Sequence, residues 1–221
     1  DMATARVSGS GRAAEPAATA PPHVSTEGGS TRALLVTGSE GIVARQLIPL
    51  LRQAGHTLRL ADRAAVGTER ADLRDPAECA RVVRGVDGIV HLAGAAKEAS
   101  VEALVADNTL ALGNLLAAAS VGGVPHFVFA SSMHVMGMYG RGDRFDEDAP
   151  PRPDSHYAAS KLHGEALCRL YAERHGLAIT CLRLGHVAAT LDEAEPATWV
   201  SPQDVAQMVE IAFRRDQPGL E

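Results

Sequence analysis

The stretch that decides the fold is "LLVTGSEGIVARQLIPLL", residues 34–51. It opens as a short apolar run, passes through Gly38 and Gly41, and continues with apolar residues at helical spacing, with Ala44 where a third glycine would stand. This pattern is typical of a buried parallel strand, a tight turn and an amphipathic helix. The glycines would let the backbone approach a pyrophosphate, and the free N–H groups of the helix would offer it partial positive charge. The stretch is therefore either a phosphate-binding turn or only a strand that leads into a helix.

The alternation of strand and helix patterns continues along the chain. Four further strand-like runs, "TLRLADR", "GIVHLAG", "HFVFASS" and "AITCLRLG", are separated by helical patterns. Gly176 is expected to close a long helix, and Ser201 to cap the last one. Strands that alternate with helices form a parallel sheet covered on both faces. We therefore predict a doubly wound α/β fold (a Rossmann fold), in which the strand ends face one crevice.

The composition is that of an ordinary globular protein. Of 221 residues, 46% are hydrophobic and 22% are charged, and the formal net charge is -6. The acidic balance argues against a nucleic acid partner. The three cysteines show no metal-ligand spacing, so we expect no metal site and a reducing, cytoplasmic compartment. No apolar run approaches the ~18 residues of a membrane span, so we expect no membrane partner.

Two parts of the chain differ in composition. Residues 1–31 are rich in Ala, Gly, Ser, Thr and Pro and have no apolar period, so we expect a disordered N-terminal extension or a cloning remnant. Residues 32–221 are expected to form the dinucleotide-binding domain, with substrate-binding elements around 133–153 and 186–200. Because the chain stops at Glu221, we expect the C-terminal substrate region to be small and truncated.

Acidic residues follow the second strand. Asp62 ends "LRLAD", and an acid at this place accepts hydrogen bonds from the adenine ribose hydroxyls of a dinucleotide. Arg63 could favour a 2′-phosphate instead, but Asp62 would repel that phosphate, which favours NAD. Asp72 and Leu73 are placed to touch the adenine. Glu40 lies close to the expected phosphates, so its side chain has to point outward.

A second pattern lies at the start of a helix. Tyr157 and Lys161 are four residues apart and hence share one face. A lysine ammonium beside a phenol lowers the pKa of the phenol, which can then act as a base nearer neutral pH. The sequence contains only two lysines, which makes Lys161 conspicuous. Ser132 ends the strand "FASS", where its hydroxyl could hold a substrate oxygen beside Tyr157.

Together, the TGxxGxxA turn, the acid after the second strand, "HLAG", the strand ending in serine and the YxxxK pair resemble the extended short-chain dehydrogenase/reductase family, also called the NAD-dependent epimerase/dehydratase family. The resemblance implies that Tyr157 accepts a hydroxyl proton, Lys161 holds the nicotinamide ribose and Ser132 orients the substrate. It also implies a homodimer built from two long helices, around residues 101–119 and 155–175. The implied cofactor contacts are Gly38, Glu40, Gly41, Ile42, Asp62, Asp72, Leu73, Leu92, Ala93, Gly94, Asn108, Tyr157 and Lys161.

Within that family, "FASSMHVMG", "RPDSHYAASKLHGE" and "TWVSPQDVAQMVEIAFR" are similar to uronate dehydrogenases, which oxidise a hexuronic acid at its anomeric carbon with NAD. Ala96, Met133 and His186 depart from that subgroup, which has serine, asparagine and serine there. Residues 186–198 also lack the arginine that grips the substrate carboxylate, since they contain no Arg or Lys. We therefore expect a neutral aldose or cyclic polyol to be preferred over a hexuronate. The residues placed toward the substrate are Lys97, Ser132, Met133, His134 and His186.

Three interpretations of the function remain open. The first is an NAD-dependent sugar or sugar-acid dehydrogenase, and the second a nucleotide-sugar epimerase or dehydratase. The third is a protein that binds NAD without catalysis. Met133 and His134 stand where a dehydratase of this family carries an Asp-Glu pair, and the chain has little room for the larger lobe of an epimerase. The intact Tyr157 and Lys161 pair argues against a purely binding role, so we favour the dehydrogenase.

Overall fold

The computed structural model describes residues 31–65, 67–95, 99–140, 142–144, 146, 148–191, 197–214 and 219–220. Apart from residue 31, the predicted N-terminal extension lies outside the described residues. Ala96, Lys97 and the acidic residues Asp192, Glu193 and Glu195 also lie outside them.

Seven parallel strands form the central sheet. In chain order they are β1 (Ala33–Thr37), β2 (Thr57–Asp62), β3 (Glu69–Arg70), β4 (Gly88–His91), β5 (His126–Ser132), β6 (Ala178–Leu184) and β9 (Gly219–Leu220), while β7 (His186–Val187) and β8 (Trp199–Val200) form a separate parallel pair. The strand order is β3-β2-β1-β4-β5-β6-β9. This order confirms the predicted doubly wound fold, and it reverses between β1 and β4, which is where such sheets bind their ligands. The two-residue strands β3, β7, β8 and β9 were not predicted, because two residues carry no periodic signal.

The helices cover both faces of the sheet. They are α1 (Ile42–Gln53), α2 (Pro76–Val82), α3 (Val101–Leu104), a π-helical segment (Val105–Leu110), α4 (Ala111–Val121), a 3₁₀ turn (Met133–Met136), α5 (His156–His175) and α6 (Pro202–Ala212). Leu34 and Val36 of β1 pack into the cluster beneath α1 and α6, whereas Leu35 packs into the cluster beneath α2, α4 and α5. The strand is thus apolar on both sides, as a central parallel strand has to be.

Helix ends follow the expected chemistry. The Ser201 hydroxyl accepts the N–H of Asp204, and the Asp204 carboxylate accepts the N–H of Ser201, which closes a capping box at the start of α6. At the start of α5 the Ser155 hydroxyl accepts the N–H of Ala158. Gly176 ends α5 with a φ of 71°, a left-handed conformation that favours glycine. Both predicted ends, Ser201 and Gly176, are confirmed.

Residues 101–121 form one helical stretch long and apolar enough to cross a membrane, the one such stretch in the described part of the chain. Its Leu112, Leu115 and Leu116 are fully buried in the core cluster. A core helix of a globular domain meets the same length and composition test. Burial against the sheet accounts for the apolar residues on its inner side.

Helix α5 approaches the sheet closely enough to bring its polar residues to the end of β5. A Cβ on Gly164 would lie 2.6 Å from Cζ of Phe129, so glycine is needed at this crossing. Cys168, one turn further, is fully buried in the same cluster. This crossing holds the first turns of α5 against the carboxyl end of β5.

Candidate active site

The glycine turn after β1 has the geometry of a phosphate-binding loop. Gly38 has a φ of +69°, and a Cβ there would lie 2.6 Å from the backbone nitrogen of Ala93, so a side chain does not fit. The N–H of Gly38 donates to the carbonyl of Ala61, at 2.9 Å, which ties the turn to β2. The Ser39 hydroxyl is buried and has no hydrogen-bond partner among the described residues. Together with the free N–H groups at the start of α1, this hydroxyl is a donor that a phosphate would satisfy.

A cavity of about 210 Å³ adjoins the turn. Predicted residues that line it belong to the turn, to the end of β2 and the segment after β3, and to the loop after β4: Gly38, Gly41, Asp62, Asp72, Leu73, Leu92, Ala93 and Gly94. Five other predicted cofactor contacts are not among the lining residues: Glu40, Ile42, Asn108, Tyr157 and Lys161. Instead, the Glu40 carboxylate accepts a hydrogen bond from Thr68 and pairs with Arg45, so it points away as expected. Ile42 is 79% exposed at the start of α1.

Asp62 is held at the end of β2 by backbone donors. Its carboxylate accepts the N–H of Glu40 at 3.1 Å and the N–H of Ala64 at 2.8 Å. These contacts fix the carboxylate at the edge of the cavity, where ribose hydroxyls could donate to it. The glycine turn, the unpartnered Ser39 hydroxyl and Asp62 together fit a dinucleotide with unmodified ribose hydroxyls.

Two arginine–carboxylate pairs line the same cavity. Arg63 donates to both carboxylate oxygens of Asp107, at 2.8 and 3.2 Å, and Arg74 makes a similar forked contact with Asp72. The hydrogen bond from Arg74 lowers the pKa of Asp72 to about 2. Asp107 is 44 positions from Arg63 along the chain, so sequence reasoning did not find this contact.

At the other end of the crevice the structure brings Ser132, Tyr157 and Lys161 together. Ser132 is the last residue of β5, and its hydroxyl accepts the N–H of His134 at 3.2 Å. The Ser132 side chain also lies close enough to Tyr157 to act on the pKa of the phenol. Lys161 Nζ lies 5.9 Å from the centre of the Tyr157 ring and 5.0 Å from that of Phe129. It donates a hydrogen bond to the carbonyl of Ala130 at 2.9 Å. The three groups can therefore act on one bound molecule.

The electrostatics of this cluster differ from the expectation in one respect. Burial lowers the pKa of Lys161 to about 8 and raises the pKa of Tyr157, the latter against a lowering by the Ser132 hydrogen bond. The expected lowering of the Tyr157 pKa by Lys161 is therefore absent in the free protein. The reason is geometric, since the ammonium points to the Ala130 carbonyl rather than to the phenol oxygen.

Asn108 supports the cluster from the π-helical segment. Its side chain accepts the N–H of Ala95 at 2.7 Å and donates to the carbonyl of Ala95 at 3.1 Å. It also donates to the Ser160 hydroxyl at 2.8 Å, which in turn donates to the carbonyl of Tyr157 at 2.7 Å. The buried amide thus joins the loop after β4 to the first turn of α5. Ser160 was missed because it lies inside the YxxxK pattern without belonging to it.

The expected substrate side is only partly described. His134 Nδ1 lies 2.7 Å from a carboxylate oxygen of Asp154, and its ring meets that of Tyr157 edge-on with centres 6.4 Å apart. Met133 is half-buried in the 3₁₀ turn, and His186 is exposed on β7. Lys97, which was predicted to face the substrate, lies outside the described residues. Asp154 carried no sequence signal, because its partner is 20 positions away.

A charged pair lies beside Ser131, the residue that precedes Ser132 in β5. Arg183 on β6 donates to both carboxylate oxygens of Glu165, at 2.8 and 2.9 Å. Glu165 also accepts the hydroxyl of Ser131 at 2.6 Å. The carboxylate therefore links the end of β5, α5 and β6, and it occupies the Arg183 guanidinium.

Comparison with known proteins identifies a family model and several dehydrogenases that are similar to this chain. A model of the NAD dependent epimerase/dehydratase family matches residues 34–214. A uronate dehydrogenase of Pseudomonas syringae pv. tomato is 35% identical over 195 residues, which cover 84% of this chain and 71% of that protein. An L-arabinose 1-dehydrogenase (NAD(P)(+)) of Haloferax volcanii is 32% identical over 212 residues, covering 84% of each chain.

Solved structures agree with these relatives. A mutant uronate dehydrogenase from Agrobacterium tumefaciens, complexed with NAD, superimposes with a TM-score of 0.78 at 34% identity. The match covers 86% of this chain and 75% of that one. The similarity therefore extends over most of the domain described above.

The buried ammonium predicts a pH dependence of stability. Because burial lowers the pKa of Lys161 from 10.5 to about 8, the folded chain binds fewer protons than the unfolded chain between these pH values. The free energy of unfolding should therefore rise by about 3 kcal/mol through Lys161 as pH increases across this window. Urea unfolding of the wild type and of Lys161→Met, from pH 7.5 to 10.5 in ~0.5 steps, measures the difference.

Lys97→Met, which replaces the only other lysine of the sequence, is the matched control and should follow the wild type. Parallel curves for the wild type and Lys161→Met would contradict the assigned pKa, whereas a rise confined to chains that retain Lys161 supports it.

Proposed function

The chain belongs to the NAD-dependent epimerase/dehydratase family, and we propose that it is an NAD-dependent sugar dehydrogenase of the extended short-chain dehydrogenase/reductase type. The observation that carries the proposal is the placement of Ser132, Tyr157 and Lys161 on the same edge of the sheet as the glycine turn. Catalysis and cofactor binding then share one crevice. Its uronate and arabinose dehydrogenase relatives support oxidation of a sugar or a sugar acid.

The side chains divide the chemistry between them. NAD, when bound, accepts a hydride from the carbon that is oxidised. Tyr157 takes the proton of the substrate hydroxyl, and Ser132 holds that oxygen in place. Lys161 keeps a positive charge beside the reacting groups, which favours the phenolate.

The alternatives are less well supported. A binding protein without catalysis has no need for a buried ammonium, whose burial lowers its pKa to about 8. A nucleotide-sugar epimerase is the nearer alternative, since a UDP-glucose 4-epimerase of Corynebacterium glutamicum is 32% identical over 172 residues. That match covers only 51% of the epimerase, whereas the dehydrogenase matches cover 71% and 84% of theirs.

We infer that the preferred substrate is neutral. Two side chains that could bind a substrate carboxylate already have internal partners: His134 Nδ1 lies 2.7 Å from Asp154, and Arg183 is paired with Glu165. A substrate carboxylate would have to compete with these internal partners, while a sugar hydroxyl needs no net charge. The absence of Arg and Lys from 186–198 points the same way.

We propose that the enzyme is a cytoplasmic homodimer. The exposed side of the 101–121 stretch and of α5 carries Val101, Val105, Leu110 and Leu170, each at least 43% exposed. Two such faces would bury these apolar side chains against each other. The free thiols of Cys79, Cys168 and Cys181 suit a reducing compartment. Sedimentation of the purified chain distinguishes dimer from monomer, and a monomer would contradict this assembly.

Removal of the phenol hydroxyl tests the assigned base. Tyr157→Phe should bind NAD with nearly unchanged affinity but lose at least about 10²-fold in kcat, because only the proton acceptor is lost. Calorimetric titration with NAD and NADH formation with a sugar panel give the two quantities. Ser155→Ala, which alters the cap of the same helix without touching the phenol, is the control. Retention of more than about a tenth of the wild-type rate by Tyr157→Phe would show that another group is the base.

The substrate class is tested by the ratio of kcat/KM for neutral sugars to kcat/KM for hexuronates. The values of kcat/KM for galactose and glucose should exceed those for galacturonate and glucuronate, because the neighbouring cations are occupied. The measurement is NADH formation at a fixed, saturating NAD concentration. A clear preference for the uronates would refute the neutral assignment. In that event Lys97→Ala should lower kcat/KM for uronates selectively, since Lys97 is then the replacement cation.

A further inference from the structure

The cavity beside the glycine turn has an uneven charge distribution. Its lining includes the three acids Asp62, Asp72 and Asp107 and the two arginines Arg63 and Arg74. Both arginines are engaged by acids of the same lining, so neither guanidinium presents an uncompensated charge to the cavity. Neither arginine of the lining is therefore available to an additional phosphate without losing its carboxylate partner.

Arg63 is the guanidinium nearest in sequence to Asp62, the residue placed against the adenine ribose. The side chain of Arg63 is 50% exposed, whereas that of Asp107 is 19% exposed. Asp107 is thus the more firmly held partner, fixed on the π-helical segment next to the buried Asn108. The two forked hydrogen bonds draw the Arg63 side chain towards that segment.

The 2′-phosphate of NADP would need a positive charge beside Asp62, which the ribose hydroxyls of NAD do not need. It adds about -1.5 to -2 charges beside the Asp62 carboxylate, so its binding depends on a nearby cation. An arginine fork suits a phosphate as well as it suits a carboxylate. Asp107 and a 2′-phosphate would therefore compete for the same guanidinium, whereas unmodified ribose hydroxyls make no such demand.

We propose that Asp107 is a cofactor-specificity residue, which disfavours NADP by holding the Arg63 guanidinium away from the position of the 2′-phosphate. The inference rests on the proposed NAD-dependent function and adds a residue to it. Asp62 repels the phosphate directly, and Asp107 withholds the cation that could offset this repulsion. Both acids therefore disfavour NADP relative to NAD, Asp62 from β2 and Asp107 from the π-helical segment.

The test is the ratio of the dissociation constants for NADP and NAD, measured by calorimetric titration without substrate. The wild type should bind NAD at least about tenfold tighter than NADP. Asp107→Asn, which keeps the shape of the side chain, should lower this ratio about fivefold, mainly through tighter NADP binding. Asp107→Glu, which keeps a carboxylate, should stay within about twofold of the wild type.

A double-mutant cycle separates release of Arg63 from simple loss of a negative charge. In the Arg63→Gln background, Asp107→Asn should change the ratio much less, because the remaining guanidinium near position 107 is that of Arg74, which lies 4.0 Å from Asp107 and is held by Asp72. An equal effect of Asp107→Asn with and without Arg63 would overturn the proposal. An unaltered ratio in Asp107→Asn with intact NAD binding overturns this inference alone, whereas failure of the wild type to bind NAD overturns the proposed function with it.

Discussion

The burial of one ammonium group is the constraint on which the site depends. Lys161 is 6% exposed, and its Nζ donates to a backbone carbonyl rather than to a carboxylate. Such a charge is costly to bury, and the lowered pKa of Lys161 reflects this cost. The close crossing of α5 over β5 at Gly164 keeps the group in place. The same environment lowers the pKa of the fully buried His91 to about 3, so that imidazole stays neutral beside the cation.

Several polar and charged side chains of the crevice have internal partners before any ligand enters. On the cofactor side Arg63 and Arg74 are held by acids, and on the substrate side His134 is held by Asp154. A charged ligand that binds these side chains therefore has to displace their internal partners. Hydroxyl-rich ligands suit such a surface, because they accept and donate hydrogen bonds without demanding that an ion pair break. Discrimination between charged and neutral ligands then depends on pairs of residues rather than on single residues.

The sequence predicts the elements that depend on local periodicity and turn chemistry. The strand, turn and helix at 34–51 and the shared face of Tyr157 and Lys161 are of this kind, and they account for the fold and for the position of the site. What escapes prediction depends on contacts between distant segments. Nothing near Asp107 in the sequence points to Arg63, and four-residue spacing does not specify where the Lys161 ammonium points. For the same reason the predicted lowering of the Tyr157 pKa was wrong for the free protein, in which burial raises this pKa.

The π-helical segment at Val105–Leu110 has a consequence for chain length. A π turn holds more residues than an α turn, so a segment one residue shorter could close as an ordinary α-helix. The flanks α3 and α4 would then keep their buried leucines against the sheet. The adjacent positions 107 and 108, however, could not both keep their partners, since Asn108 reaches Ala95 while Asp107 reaches Arg63. Deletion of one residue here would therefore leave the scaffold intact but alter the cofactor side of the crevice and the link from Asn108 through Ser160 to the first turn of α5. Homologues that differ in length at this place are the natural variants in which to look for altered coenzyme use.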